Sequence, residues 1–341
     1  MRANKAEQRG ANQQRQGSAA VRHLQVAAVQ MRCEPGAVEH NLRRGAELIA
    51  QAACQGAELV LLPELMPGGY ELTEAVWDSA ETVHGQAVHW LKNQARLHAI
   101  HVGFSFLEVD GDDFYNSFVL ATPQGEIAGR VRKNPPASVE AYFYRVGNDP
   151  HVIETEFGRI GVAICYENLL YERICELSEL AVDLVLSPSA AGRPKRFIPG
   201  DHRRFDEMLK RIRGLYSDAL GVPNIFANRT GPLETALPSI YPFLKSSFPG
   251  LSAITDADGT VLAEMDEEEG VIVAEINLDP RRRTGKPRRY GSIWALPVPW
   301  YAFTWPMSQK PGEKAYASSS RRIEKARSIG SAGPTATPPA T

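Results

Sequence analysis

Cysteine is scarce in this 341-residue chain: Cys33, Cys54, Cys165 and Cys175 are the whole supply, and no two stand in CxxC spacing. That argues against a disulfide-stapled scaffold and against a cysteine-rich zinc module. An excess of one charge is lacking too. With 38 Lys and Arg against 40 Asp and Glu, the formal net charge of −2 gives no whole-protein field for nucleic acid or an anionic membrane. No uninterrupted apolar run approaches the ~20 residues of a membrane-spanning helix. Met1 to Arg22 lacks an apolar signal core and is punctuated by Arg2, Lys5, Arg9 and Arg15. Neither GxGxxG nor GxxxxGK[ST] occurs, so phosphate-cradling cofactor loops have no support, and no clustered Cys/His set suggests a metal. The expectation is a reduced, cytoplasmic protein with no cofactor, no metal, and neither nucleic acid nor membrane as partner.

What is present is an ordinary globular composition, 43% hydrophobic and 23% charged. Residues 1–22 are too polar to bury a face and read as a disordered tail. Residues 308–341, rich in Ser, Ala, Pro, Gly and basic side chains, read the same way. Between them, 23–280 reads as one α/β domain followed by an arm, 281–307. Leu24 to Gln30, Leu59 to Leu62, His101 to Glu108, Ser117 to Thr122 and Glu126 to Arg132 have strand patterns, as do the run ending at Cys165, Asp183 to Ser187 and Asn224 to Asn228. Ala253 to Thr255 and Val261 to Ala263 flank Asp256-Ala257-Asp258-Gly259, a hairpin signal, and Val271 to Ile276 is a last strand. Helices are expected over Glu39 to Ala53 (with Ala46, Ile49 and Ala53 on one stripe), Ala87 to His98 and Asp201 to Leu220, with another beginning after Cys165. Several β–β neighbours are joined by short turns, which favours layered sheets with helices outside over a simple Rossmann sheet.

Four polar residues end or follow apolar strands. Cys165 closes Ile160-Gly161-Val162-Ala163-Ile164 and leads into Tyr166-Glu167-Asn168. A thiol between a strand end and a helix N-terminus is presented much like a nucleophile elbow, and the helix dipole there favours thiolate. A buried cysteine is more often a small hydrophobe. Glu64 closes Leu59 to Pro63, at a sheet edge of the kind that holds ligands in α/β proteins; alone it would more often be a solvated loop carboxylate. Lys133 ends Arg130-Val131-Arg132, and Glu140 follows seven residues later, past Asn134-Pro135-Pro136.

In order, Leu62-Pro63-Glu64, Arg132-Lys133-Asn134-Pro135-Pro136 and Ile164-Cys165-Tyr166-Glu167 resemble the nitrilase (carbon–nitrogen hydrolase) superfamily over roughly residues 24–280. Gly69-Tyr70, Gly147-Asn148, Asn228-Arg229-Thr230-Gly231 and Gly250-Leu251-Ser252-Ala253-Ile254 add to the likeness. The fold this implies is an α-β-β-α sandwich in a single domain, pairing into a four-layer αββα–αββα homodimer or larger homo-oligomer. The resemblance implies Cys165 as nucleophile, Glu64 as proton carrier, Lys133 as oxyanion partner and Glu140 as the second glutamate that places substrate and Lys133. It also implies Tyr166, Ser189 and Asn228 as oxyanion or substrate positions. The expected activity is release of ammonia from a small amide or carbamoyl-type molecule through a cysteine acyl-enzyme. The alternatives are a nitrilase making acid and ammonia, and an acyltransferase drawing on the same thioester. Tyr171 stands where both amidase-like and nitrilase-like branches commonly carry proline, and Tyr166 where nitrilases carry Trp.

Outside the pattern, Pro232 to Phe248 reads as an irregular surface loop, or else as a wall or cover of the site. His84, His89, His98 and His101 spread over several faces, and Arg281-Arg282-Arg283 reads as a charged surface. Trp294, Trp300, Tyr301, Phe303 and Trp305 are too aromatic for water, which predicts an arm packed on a second subunit.

Overall fold

In the computed structural model, which describes residues 21–238, 243–279, 281 and 285–331, the apolar runs become strands and the helical stripes become helices close to their expected bounds. In chain order the strands are β1 (Arg22–Gln30), β2 (Leu59–Leu61), β3 (His101–Asp110), β4 (Asp113–Ala121), β5 (Ile127–Arg132), β6 (Val152–Thr155), β7 (Gly158–Val162), β8 (Leu184–Pro188) and β9 (Asn224–Ala227). They continue as β10 (Thr230–Thr235), β11 (Leu244–Pro249), β12 (Ala253–Thr255), β13 (Val261–Glu264) and β14 (Gly270–Leu278). The helices are α1 (Val38–Cys54), α2 (Gln86–His98), α3 (Tyr171–Glu179), α4 (Asp201–Leu220), α5 (Gln309–Ser318) and α6 (Ser320–Ser331).

Two six-stranded sheets face each other, in the orders β14-β1-β2-β3-β4-β5 and β13-β12-β9-β8-β7-β6. Each has three parallel strands at its centre, β1-β2-β3 and β7-β8-β9, with antiparallel strands outside. Val26, Ala28, Leu59 and Leu61 of the first sheet bury against Val162, Leu184, Leu186 and Ile225 of the second. The outer face of the first sheet is covered by α1 and α2, through Leu48, Ile49, Val88 and Leu91. The outer face of the second is covered by α3 and α4, through Ile174, Leu177 and Tyr216. The layers are therefore α-β-β-α, because a sheet whose two faces are both apolar must be covered twice. On α1 the buried stripe is Leu42, Gly45, Leu48, Ile49 and Ala52 rather than Ala46, Ile49 and Ala53. A side chain at Gly45 would put its Cβ 3.2 Å from Trp90, so this helix packs closely there.

Two expectations change, and the aromatic arm is covered in part by its own chain. The stretch from Pro232 is not an irregular loop: β10 and β11 pair in register from Thr230↔Pro249 to Thr235↔Leu244. The residues from 308 are not a featureless tail as far as Ser331. α5 and α6 dock on the β3–β4 turn, where Tyr316 accepts from the Phe114 N–H at 2.8 Å and Arg322 bonds Asp113 at 2.6 Å. Arg322, Ala326 and Ile329 fall on one face at helical spacing, a pattern that polar composition hides. Finally, the aromatic arm finds cover in its own chain: Trp294 and Tyr301 are buried against Tyr166, Phe205 and Leu209. Trp300, Phe303 and Met307 stay exposed, at 50%, 59% and 74%. The expected termini at 1–20 and 332–341, together with Tyr241-Pro242 and Arg282-Arg283, lie outside the described residues. Among those described, no helix is long and apolar enough to cross a membrane.

Candidate active site

Parallel strands bring their carboxyl ends to the same edge, and there the dispersed polar residues meet. Glu64 follows β2, Lys133 follows β5, Cys165 follows β7 and Ser189 follows β8. The Lys133 ammonium donates to Glu64 Oε1 and to Glu140 Oε2, each at 2.7 Å, and all three side chains are buried. Glu64 is held further by the Asn116 amide at 2.7 Å and the Ala190 N–H at 2.8 Å. Glu140 accepts from the Tyr70 hydroxyl and the Ala137 N–H, both at 2.7 Å. Gly147 lets a neighbouring loop close on this strand end: its N–H donates to the Lys133 carbonyl at 2.9 Å, and a Cβ there would overlap Arg132 at 2.4 Å.

Burial and charge fix the protonation of these groups. Burial alone would lower the Lys133 ammonium, but the Glu140 and Glu64 carboxylates outweigh it and hold it well above the ordinary lysine range. Burial raises the Glu140 carboxyl, with Lys133 pulling it back and Glu64 adding to the rise. The Cys165 thiol is pushed well above its ordinary value by burial and by Glu64, against the pull of Lys133 and the Ala190 N–H. This reverses the expectation that a helix dipole favours thiolate here. Cys165 opens a single 3₁₀ turn, Cys165–Leu169; Leu170 is extended, and α3 begins only at Tyr171.

The turn itself resembles the elbow the sequence suggests. Cys165 sits at φ 52°, a left-handed conformation uncommon for a non-glycine residue. Two buried side chains over-determine it. Glu167 accepts from the Ile164 N–H at 2.6 Å, from the Asn134 N–H at 2.6 Å and from His151 Nε2 at 2.9 Å, with Arg173 at 3.3 Å. It therefore ties the Cys165 turn to the residue after Lys133. Burial opposes the Glu167 charge, but His151 and Arg173 hold its carboxyl below the usual range. His151 in turn is raised to about 9: burial opposes its charge, and Glu167 outweighs that. Asn168 donates to the Ala163 and Cys165 carbonyls at 3.0 and 2.9 Å while accepting from Ser187 and Tyr216.

A cavity of about 310 Å3 opens over this edge, lined by Cys165, Glu140, Tyr166 and Ser189 together with apolar side chains. Ser189 lines this cavity. Asn228 is not among the residues that line it: its amide braces the chain by accepting from the Ala191 N–H at 2.9 Å and donating to the Gly250 carbonyl at 2.7 Å. Its side chain is spent on backbone groups that a turn leaves unpaired. Sequence reasoning passed over Asn116, Tyr144 and the Glu167 cluster. Asn116 carries a signal, a polar residue inside the apolar strand Phe114 to Ala121. The buried Tyr144 hydroxyl, without a hydrogen-bond partner among the described residues, carries none. All four cysteines are free thiols, and among the described residues no group of three His, Cys, Asp or Glu side chains could hold a metal ion.

The profile of the family described as "Carbon-nitrogen hydrolase" matches residues 25–286. A protein named nitrilase from Pyrococcus abyssi is 31% identical over 260 residues, covering 75% of this chain and 90% of its own length. An N-carbamoylputrescine amidase from Solanum lycopersicum is 26% identical, covering 76% of this chain and 87% of its own. The crystal structure of a carbon–nitrogen hydrolase from Helicobacter pylori G27 superposes with a TM-score of 0.68 at 24% identity, covering 75% of this chain and 90% of that one.

Proposed function

This chain belongs to the carbon–nitrogen hydrolase family, and on that premise we propose that it hydrolyses the C–N bond of a small amide through a Cys165 acyl-enzyme, releasing ammonia. The observation that carries the reading is the Lys133 ammonium gripped by Glu64 and Glu140 at 2.7 Å each, at the strand-end edge where Cys165 opens onto the cavity.

The thiol rests protonated, so attack requires a base. Glu64 takes the Sγ proton as sulfur bonds to the carbonyl carbon. The resulting oxyanion is held by the Lys133 ammonium and the Tyr166 N–H, donors that cost little reorganisation because they are already fixed. Collapse expels the amine, to which Glu64 returns the proton, so ammonia leaves and a thioester remains. Water, deprotonated by Glu64, attacks that thioester; the carboxylic acid departs and the thiol is restored. Glu140, bonded to Lys133 and Tyr70, positions the lysine throughout. Because Lys133 is held above the ordinary range, it stays charged across the working pH.

Cys165→Ala is expected to abolish ammonia release. Intact-mass measurement of the wild type mixed with amide should show an acyl adduct that Cys165→Ala lacks. Wild-type rates in Cys165→Ala would sink the mechanism. A nitrile substrate is the second reading, supported by the name of the Pyrococcus relative; ammonia from nitriles but not from the matching amides would select it. Acyl transfer to an added amine with little hydrolysis would instead select a transferase on the same thioester.

A further inference from the structure

Within the cavity, the inward face of α4 presents Phe205, Met208, Leu209 and Ile212, a stripe at i, i+3, i+4 and i+7. The β10–β11 hairpin supplies Leu233 and Leu244. A further wall comes from Tyr301, Thr304 and Trp305 of the arm, which lies beyond the residues that match the family. Trp305 packs edge-on to Tyr166, the residue next to the nucleophile, with ring centroids 6.0 Å apart.

The charged groups along the cavity are few. Glu140 is taken up by Lys133, Tyr70 and the Ala137 N–H. Arg193 is taken up by Asp206 at 2.7 Å and Glu267 at 2.6 Å. Lys195 adds a second positive charge, but it is solvent-exposed, where pairing with a substrate carboxylate gains little over water. Among the described residues lining the cavity, Glu140 is thus the one carboxylate, and it is already engaged. An ammonium-bearing substrate would lose water without gaining a counter-ion. An apolar chain would gain with each methylene it buries.

We propose that the substrate carries an uncharged, extended alkyl or arylalkyl group, seated between α4 and the C-terminal arm, and that Tyr301 and Trp305 of the arm set which chain lengths fit. This deepens the hydrolase reading and rests on it for the identity of the reacting group. It also sets this chain apart from any enzyme whose amide substrate bears an amine.

The test measures binding apart from turnover. Cys165→Ala is titrated calorimetrically with the straight-chain amides from propionamide to hexanamide, with the cationic 5-aminopentanamide, and with the anionic half-amide of succinic acid. Affinity is expected to tighten about fourfold per added methylene, the transfer gain of one buried CH2, and both charged amides are expected to bind at least tenfold more weakly than the neutral amide of matching length. Trp305→Ala and Trp305→Leu in the same background should each weaken hexanamide more than propionamide. Two variants are used so that one misfolded protein cannot decide the result. A flat length dependence, no detectable binding of hexanamide, or tighter binding of either charged amide overturns the proposal. Equal weakening along the series in both Trp305 variants removes the arm from it. Length-dependent binding with no ammonia from any of these amides in the wild type would leave this inference standing and sink the hydrolase reading instead.

Discussion

Cys165 keeps its proton at rest. Its thiol lies beside two carboxylates and one ammonium, and burial adds to the imbalance, so the side chain is held well above the ordinary cysteine range. In the proposed mechanism such a thiol is activated during attack, by Glu64, and not in advance by its position on a helix. The pH consequence has a definite sign. A group whose pKa is raised is protonated through neutrality, so alkylation of Cys165 by iodoacetamide, followed by mass spectrometry, should keep accelerating past pH 9 without a plateau. Glu64→Gln removes the charge that raises the thiol most after burial, so its profile should shift to lower pH while turnover falls 100-fold or more. A plateau near pH 7 in the wild type would contradict this account.

Among elements, the turn after the nucleophile and the C-terminal arm form one unit. Leu170 and Trp294 make an antiparallel bridge. The Tyr171 N–H donates to the Ile293 carbonyl at 2.8 Å, and the Ala295 N–H to the Leu169 carbonyl at 2.8 Å. This accounts for the missing proline. A proline at the first position of α3 would suit the helix, and the extended Leu170 would tolerate it, but proline has no N–H for Ile293. Tyr171→Pro is therefore expected to lose about 1 kcal/mol and to expose the arm to limited proteolysis near residue 290. Tyr171→Ala keeps the N–H and should stay within a few tenths of wild type in urea melts. Equal stability of the two variants would show that the bridge does not hold the arm. The residue was visible in the sequence as a departure, but its reason was not, because its partner lies more than 120 residues away.

At the scale of the whole molecule, the arm leaves Trp300, Phe303 and Met307 in water, and we propose that this exposed aromatic edge contacts a second copy of the chain, as exposed apolar patches commonly do. Sedimentation of the full chain is expected to give a dimer or larger assembly, and Trp300→Ser with Phe303→Ser is expected to shift it toward the 37.5 kDa monomer. An unchanged sedimentation coefficient would refute that contact. The order of strands and helices was legible because alternation and helical periodicity are local properties of side chains, and the long buried strands leave little choice. That Cys165, Glu64 and Lys133 share one edge was legible for a similar reason: each follows an apolar strand, and parallel strands present their ends together, whereas Glu140 reaches them from the turn Ser138–Tyr142. The bracing bonds of Asn228 were not legible, because its type and position suit a ligand contact equally well and its backbone partners, Ala191 and Gly250, are distant in sequence. The helices α5 and α6 were missed because their buried face, Arg322, Ala326 and Ile329, is too small and polar to stand out until Asp113 and Phe114 are seen to receive it. The sequence by itself determined the layers, the family and the chemical inventory of the site. The tertiary structure alone decided the protonation of Cys165, the brace that Glu167 forms from the nucleophile turn to Asn134, and the apolar wall that the arm lends to the cavity. Protonation and shape depend on which groups meet across the fold, and those distances are absent from any local pattern.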